Sequence, residues 1–128
     1  MKTTSLQLPI SQSGCGNTRL ISDGVSLTIE FEYREAGRDL IGCLRFSEVI
    51  AYTFRNEMHS QGYLSEAYDA VHEVPESSWL QQMKDAAPNG VRDADSKRHF
   101  AVFLSSNGYF EVLAGSYVFE ALREGFLE

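Results

Sequence analysis

The chain has 128 residues, of which 43% are hydrophobic and 23% are charged, and its formal net charge is -7. This size fits a single domain with its own hydrophobic core, and the composition excludes an intrinsically disordered chain. Because the 11 Lys and Arg residues are scattered among 18 Asp and Glu residues, the charge argues against binding to nucleic acids or to anionic membranes.

The two cysteines are expected to be free thiols in a cytoplasmic protein. The N-terminal residues lack the continuous apolar segment of a secretory signal, and no stretch is long and apolar enough to span a membrane. Cytoplasmic thiols stay reduced, so a disulfide is not expected. Cys43 lies within a predicted strand and is expected in the core, whereas Cys15 in "SGCGN" is expected in an exposed loop.

Regular structure is first evident at residue 25. Residues 1–24 form a weakly patterned N-terminal segment, in which "TSLQLPI" predicts an edge strand that ends at Pro9. In "VSLTIEFEYRE", from 25 to 35, apolar and polar residues alternate, which predicts a strand with one buried face. That face comprises Val25, Leu27, Ile29, Phe31 and Tyr33. A turn at Gly37 follows.

The next apolar run, "LIGCLRFSEVIAYTFR" from 40 to 55, carries its large side chains on even positions, but Glu48 interrupts that face. A straight strand would bury this carboxylate, which is unfavourable unless the group is paired or protonated. A bulge or bend at Ser47 and Glu48 would place it on the surface instead, and we favour this alternative.

Residues 66–74 fit both a helix and a strand. Because Pro75 follows at once, we favour the strand. The only convincing helix lies near 77–87, where Ser77 or Ser78 can cap the first turn. Its apolar stripe comprises Trp79, Leu80, Met83 and Ala87.

The segment "RHFAVFLSSNGYFEVLAGSYVF", from 98 to 119, predicts a hairpin with Asn107 and Gly108 as a two-residue loop. This loop would pair Phe103 with Val112 and Ala101 with Ala114. Both faces of the hairpin are apolar, so we expect it in the middle of a sheet that is covered on both sides. "SYVFEAL" predicts a last strand.

These elements predict a single domain over residues 1–128 with a mainly β (α+β) fold. We expect an antiparallel sandwich or partly open barrel of six to seven strands with one short helix. The predicted core comprises Leu27, Ile29, Phe31, Leu44, Phe46, Tyr52, Trp79, Leu80, Phe103, Val112 and Leu113.

No catalytic, metal or cofactor motif is evident, and we expect none of these sites. The three histidines His59, His72 and His99 do not have the spacing of a zinc site. Glu48 and Glu111 are the two acids within apolar strands, and in one cavity they could act as an acid–base pair. Two unrelated surface positions are the favoured interpretation.

The order of "GCLRFSEVIAYTFRNE", "EAYDAVHEVPESSWLQQM" and "RHFAVFLSSNGYFEVLAGSY" resembles small uncharacterised bacterial proteins that have a strand, a Ser-x-Trp helix and a His-aromatic terminal hairpin. This resemblance covers residues 25–119 and implies no catalytic residue. In size and charge, the chain is also similar to the immunity proteins that neutralise secreted bacterial toxins. That similarity implies a protein partner.

The leading functional hypothesis is a non-enzymatic protein-binding domain whose acidic surface meets a protein partner, and an immunity protein that meets a basic toxin is one form of it. Its candidate contacts are Glu30, Glu32, Asp93, Asp95 and Tyr109, the last as an exposed aromatic. The second hypothesis is a small-ligand pocket between sheet and helix, lined by Tyr52, Tyr68, Trp79 and His99. The third is a structural subunit in which an uncovered hairpin face pairs two copies.

Overall fold

The computed structural model describes residues 5–10, 15–56, 67, 69–86, 96–104 and 108–127, and the structural statements below concern these residues. The strands are β1 (Ser5–Gln7), β2 (Thr18–Ser22), β3 (Ser26–Glu35), β4 (Arg38–Ser47), β5 (Ala51–Asn56), β6 (Ala70–Val74), β7 (Arg98–Leu104), β8 (Gly108–Ala114) and β9 (Ser116–Glu124). The helix α1 spans Ser78–Ala86.

The described strands form two antiparallel sheets that share one core. The five-stranded sheet has the order β1-β6-β7-β8-β5, and the four-stranded sheet has the order β2-β3-β4-β9. The main core cluster combines side chains of both sheets. The predicted mainly β sandwich with one short helix is therefore confirmed, with nine described strands instead of six or seven.

The β3–β4 hairpin follows its sequence pattern closely. Side chains at alternate positions of β3, from Leu27 to Tyr33, are buried as predicted. Ala36 and Gly37 both have positive φ, as a two-residue type I′ turn requires. Val25, which was predicted on the buried face, precedes the strand and is 66% exposed.

The predicted bend at Glu48 is confirmed, and it separates two strands. β4 ends at Ser47, Glu48 has a φ of 54°, and β5 begins in the other sheet at Ala51. A positive φ breaks the extended conformation of a strand, so the chain can turn from one sheet to the other here. The connection between β8 and β9 crosses at the same corner, where the Gly115 amide donates to the Ser47 carbonyl at 2.9 Å.

The predicted pairing within the hairpin is wrong by three residues. Phe103 lies opposite Tyr109, and Leu104 lies opposite Gly108. Gly108 therefore belongs to β8, and the connection consists of residues 105–107, which lie outside the described residues. A Cβ atom at Gly108 would lie 2.5 Å from the Phe54 ring, so this glycine allows close packing against β5.

The hairpin β7–β8 lies in the middle of the five-stranded sheet, and both of its faces are buried as predicted. One face, which includes Phe100 and Val112, packs in the main core against the four-stranded sheet. On the other face, Phe103 packs with Val74, and Leu113 packs with Leu80 of α1. The hairpin therefore has no uncovered apolar face within the described residues. The third hypothesis required such a face for the pairing of two copies.

Two of the predicted core residues differ from expectation. Nine of the eleven are buried, but Tyr52 is 40% exposed and Trp79 is only half-buried. Tyr52 lies on β5, which has no neighbouring strand on its outer side among the described residues. An edge strand leaves part of its side chains uncovered.

Candidate functional site

An open groove with a volume of about 700 Å³ lies where the end of β6, the N-terminus of α1 and the start of β7 meet. We call it the helix groove. Its charged lining residues are Glu73, Glu76, Lys84, Asp85, Lys97 and Arg98. Ser77 and His99 lie on its wall. The groove is therefore polar and carries charges of both signs.

Local sequence explains how the chain forms this wall. Glu76 has a φ of 50°, which reverses the chain between β6 and α1. Ser77 then caps α1, because its Oγ accepts a hydrogen bond from the Leu80 amide at 3.0 Å. Of the two predicted candidates, Ser77 and Ser78, Ser77 is therefore the cap.

Two carboxylates of the helix groove are exposed and have no ion pair with any described residue, namely those of Glu76 and Asp85. Asp85 accepts a hydrogen bond from the Gln81 side chain at 2.9 Å. By contrast, Glu73 is paired with Arg98 at 3.3 Å. Glu76 and Asp85 are therefore available to a basic group of another molecule.

A buried chain of hydrogen bonds lies behind the groove wall. Nε2 of His99 is 2.7 Å from Oε1 of Glu111, and Nδ1 is 2.7 Å from Oγ of Ser77. With His99 neutral and Glu111 ionised, Nε2–H donates to the carboxylate and Nδ1 accepts the hydroxyl hydrogen of Ser77. The Trp79 ring meets the His99 ring edge-on at 5.5 Å. These contacts tie the N-terminus of α1 to the two central strands.

The three hydrogen-bonded side chains, Ser77, His99 and Glu111, match the Ser–His–acid order of hydrolases. The Ser77 oxygen also accepts a hydrogen bond from the Leu80 amide, which is the contact of a helix cap, in addition to its contact with His99. Glu48 and Glu111 do not form an acid–base pair: Glu48 is 71% exposed beside Lys97, whereas Glu111 is paired with His99. The expected surface position of Glu111 is thus wrong. We assign Ser77, His99 and Glu111 to the positioning of α1.

A second cavity, with a volume of about 470 Å³, lies at the sheet corner beside the helix groove. We call it the corner cavity. It is lined by Val25, Ser26, Ser47, Glu48, Val49, Ile50 and Lys97. Lys97 lines both cavities, and its side chain is 6% exposed. The two cavities therefore meet at a buried cation.

The residues predicted to contact a protein partner do not form one surface. Glu30 lies on the four-stranded sheet and is paired with Arg19 at 2.6 Å. Glu32 is buried, and its carboxylate accepts the backbone amides of Asn17 and Leu127. Asp93 and Asp95 lie outside the described residues.

The expectation that Tyr109 is exposed is wrong. This residue is 1% exposed and packs with Phe103 and Val74 on the outer face of the central hairpin. The shifted pairing places Tyr109 opposite Phe103, within the covered part of the sheet. Its side chain therefore cannot reach a partner at the surface.

The residues predicted to line a ligand pocket are only partly brought together. Trp79 and His99 are in contact, but Trp79 does not line the helix groove. Tyr52 is paired with Val112, whereas His99 is paired with Leu113. Because Val112 and Leu113 are neighbours in one strand, their side chains point to opposite faces of the sheet. Tyr52 and His99 therefore lie on opposite faces. Tyr68 lies outside the described residues.

Both cysteines are free, as predicted, but Cys15 is buried and not exposed in a loop. Burial raises the pKa of its thiol to about 12, and the negative charges of Asp69 and Glu32 add to this effect. Burial also raises the pKa of Cys43. A thiol with so high a pKa is a poor nucleophile at neutral pH.

Within the described residues, no three His, Cys, Asp or Glu side chains are grouped closely enough to hold a metal ion. No described helix is long and apolar enough to cross a membrane. No protein-family model matches this chain, and comparisons with curated proteins and with solved structures gave no match.

Proposed function

We propose that this chain is a non-enzymatic protein-binding domain that holds a basic segment of its partner in the helix groove. An immunity protein that neutralises a basic toxin is the form of this function that we favour. The observation that carries the proposal is the pair of exposed carboxylates, Glu76 and Asp85, which have no ion pair among the described residues and line an open groove.

The four-stranded sheet provides a contrast to this groove. Four of its acidic residues each have an arginine partner, namely Glu30, Asp39, Glu120 and Glu124. Exposed pairs of this kind leave little net charge for a partner to recognise. The uncompensated acids of the helix groove supply the local attraction for a basic segment that such a surface lacks.

The charge and shape of the molecule support the same assignment. A net charge of -7 speeds encounter with a cationic partner and disfavours anionic ones. Of the three described cations that line the groove, Arg98 and Lys97 have acidic neighbours in Glu73 and Glu48, which leaves Lys84 as the cation that partly offsets Glu76 and Asp85. An open groove beside a helix can hold a segment of protein chain that extends into solvent at both ends.

The proposal is tested by titrating the chain with a toxin domain of basic net charge. Replacing Glu76→Gln together with Asp85→Asn should weaken binding about tenfold, because both attractive charges are lost. The control is Glu35→Gln with Glu124→Gln, which removes the same formal charge from exposed positions of the four-stranded sheet, where Glu124 is paired with Arg38. Isothermal titration calorimetry measures both variants, and equal dissociation constants would contradict the assignment of the groove.

The immunity role is tested separately by growth. Bacteria that express the toxin domain should survive when they also express the chain, and survival should fall with the groove variant but not with the control. If the unaltered chain neither binds the toxin nor restores growth, the immunity role is wrong.

A further inference from the structure

We propose that the corner cavity is a binding site for a carboxylate with a short apolar substituent, in which the ammonium of Lys97 holds the carboxylate. This site is separate from the exposed acids of the helix groove, and the inference does not depend on the proposed function.

The first argument is the incomplete pairing of a buried cation. The Lys97 ammonium has three N–H donors. Among the described residues, it donates to Ser96 Oγ at 3.2 Å, and its nearest carboxylate oxygen, on Glu48, is 3.9 Å away, beyond hydrogen-bond distance. Removing an ammonium from water is unfavourable unless its donors are satisfied. Lys97 therefore retains capacity for an anionic acceptor.

The second argument is the lining of the cavity into which this cation reaches. Val25, Val49 and Ile50 provide apolar walls, and Ser26 and Ser47 lie beside them. The volume of about 470 Å³ lies in the range of small-molecule sites. An ammonium next to apolar walls is complementary to a molecule with a charged end and an apolar end.

The third argument concerns Glu48, which lies at the rim. Its carboxylate is 71% exposed, so it can move away from Lys97 without leaving solvent. Of the described residues that line the corner cavity, Glu48 is the one that carries a carboxylate. A ligand carboxylate would thus replace Glu48 beside Lys97 and would be repelled by its charge. Removing that charge should strengthen binding, whereas removing the Lys97 charge should abolish it.

The test uses hexanoate as the probe and follows the methyl signals of Val25, Val49 and Ile50 by nuclear magnetic resonance. Hexanoate should produce saturable shifts with a dissociation constant of about 1 mM or tighter. Hexanamide, which has the same chain without the charge, and acetate, which lacks the apolar chain, should bind at least about tenfold more weakly.

Three variants make the test specific. Lys97→Met should abolish the shifts, Glu48→Gln should strengthen binding several-fold, and Lys84→Gln should leave it unchanged, because Lys84 lines only the helix groove. If Lys97→Met does not fold, the outcome is still decided by whether Glu48→Gln strengthens binding while Lys84→Gln leaves it unchanged. Hexanoate binding that Glu48→Gln does not strengthen would overturn the proposal.

The carboxylate could belong to a free acid or to the C-terminus of a peptide. A second titration therefore uses the peptide Ala-Val-Ile with a free carboxylate and, as its control, the same peptide with a C-terminal amide. Preference for the free peptide over hexanoate identifies a peptide terminus as the source, and preference for hexanoate identifies a small acid. The absence of saturable shifts with both probes contradicts the site.

Discussion

At the scale of single residues, Cys15 shows how its surroundings change the chemistry of an ionisable group. Desolvation, aided by the negative charges of Asp69 and Glu32, raises the pKa of its thiol to about 12 from 9.0. The unfolded chain thus loses this proton at lower pH than the folded chain. The stabilising effect of the neutral thiol is complete below pH 9 and is lost as the pH rises toward 12.

We therefore predict that the free energy of unfolding falls more steeply with pH in the original protein than in Cys15→Ala. Between pH 9 and pH 12, Cys15 contributes a decrease of up to about 1.4 kcal/mol per pH unit. Urea denaturation at pH 8 and at several values above pH 9 measures this difference. Parallel curves for the two proteins would show that the thiol ionises equally in both states.

Residue-scale predictions from the sequence succeed where neighbours in the chain decide the environment. Ser77 was recognised as a possible cap because capping depends on the next three residues. Its bond to His99 joins residues 22 positions apart, and no local pattern indicates it. Cys15 and Tyr109 were wrongly predicted at the surface, because the segments that bury them are distant in the sequence. A local pattern does not show such segments.

At the scale of elements, the docking of α1 depends on its N-terminus. Ser77 Oγ both caps the helix and contacts His99, whose other ring nitrogen meets Glu111. A helix of nine residues is marginal in isolation, so this anchor and the contact of Leu80 with Leu113 hold it on the sheet.

We predict that Ser77→Ala lowers the free energy of unfolding by about 1–2 kcal/mol, because it removes the cap and leaves His99 without this hydroxyl. Ser78→Ala is the matched control, since Ser78 is exposed and should change stability by less than about 0.5 kcal/mol. Equal losses in urea denaturation would show that Ser77 has no special role in anchoring α1.

The strand elements show what hydrophobic patterns can and cannot predict. The alternation of apolar and polar residues identified the buried face of β3. The carboxylate of Glu48, which interrupts an apolar face in the sequence, identified the bend at that residue. The hairpin register failed because Asn-Gly was interpreted as a turn. Gly108 instead lies within β8, where the Phe54 ring leaves no space for a Cβ atom. A local sequence signal cannot distinguish a glycine needed for a turn from one needed for close packing.

At the scale of the whole molecule, the central hairpin explains the architecture. The four-stranded sheet covers one of its apolar faces, and α1 covers part of the other face at Leu113. Because α1 closes over the end of the sheet, the helix groove forms at its N-terminus. The same packing that completes the core therefore creates the surface that we assign to partner binding.

The central claim is that a basic partner occupies the helix groove. Hydrogen–deuterium exchange of the chain with and without the basic toxin domain tests it most directly. We predict that the partner slows exchange in residues 73–86 and 96–99 and leaves β2 and β9 unchanged. Slowed exchange confined to β2 and β9, with residues 73–86 unaffected, would contradict the account.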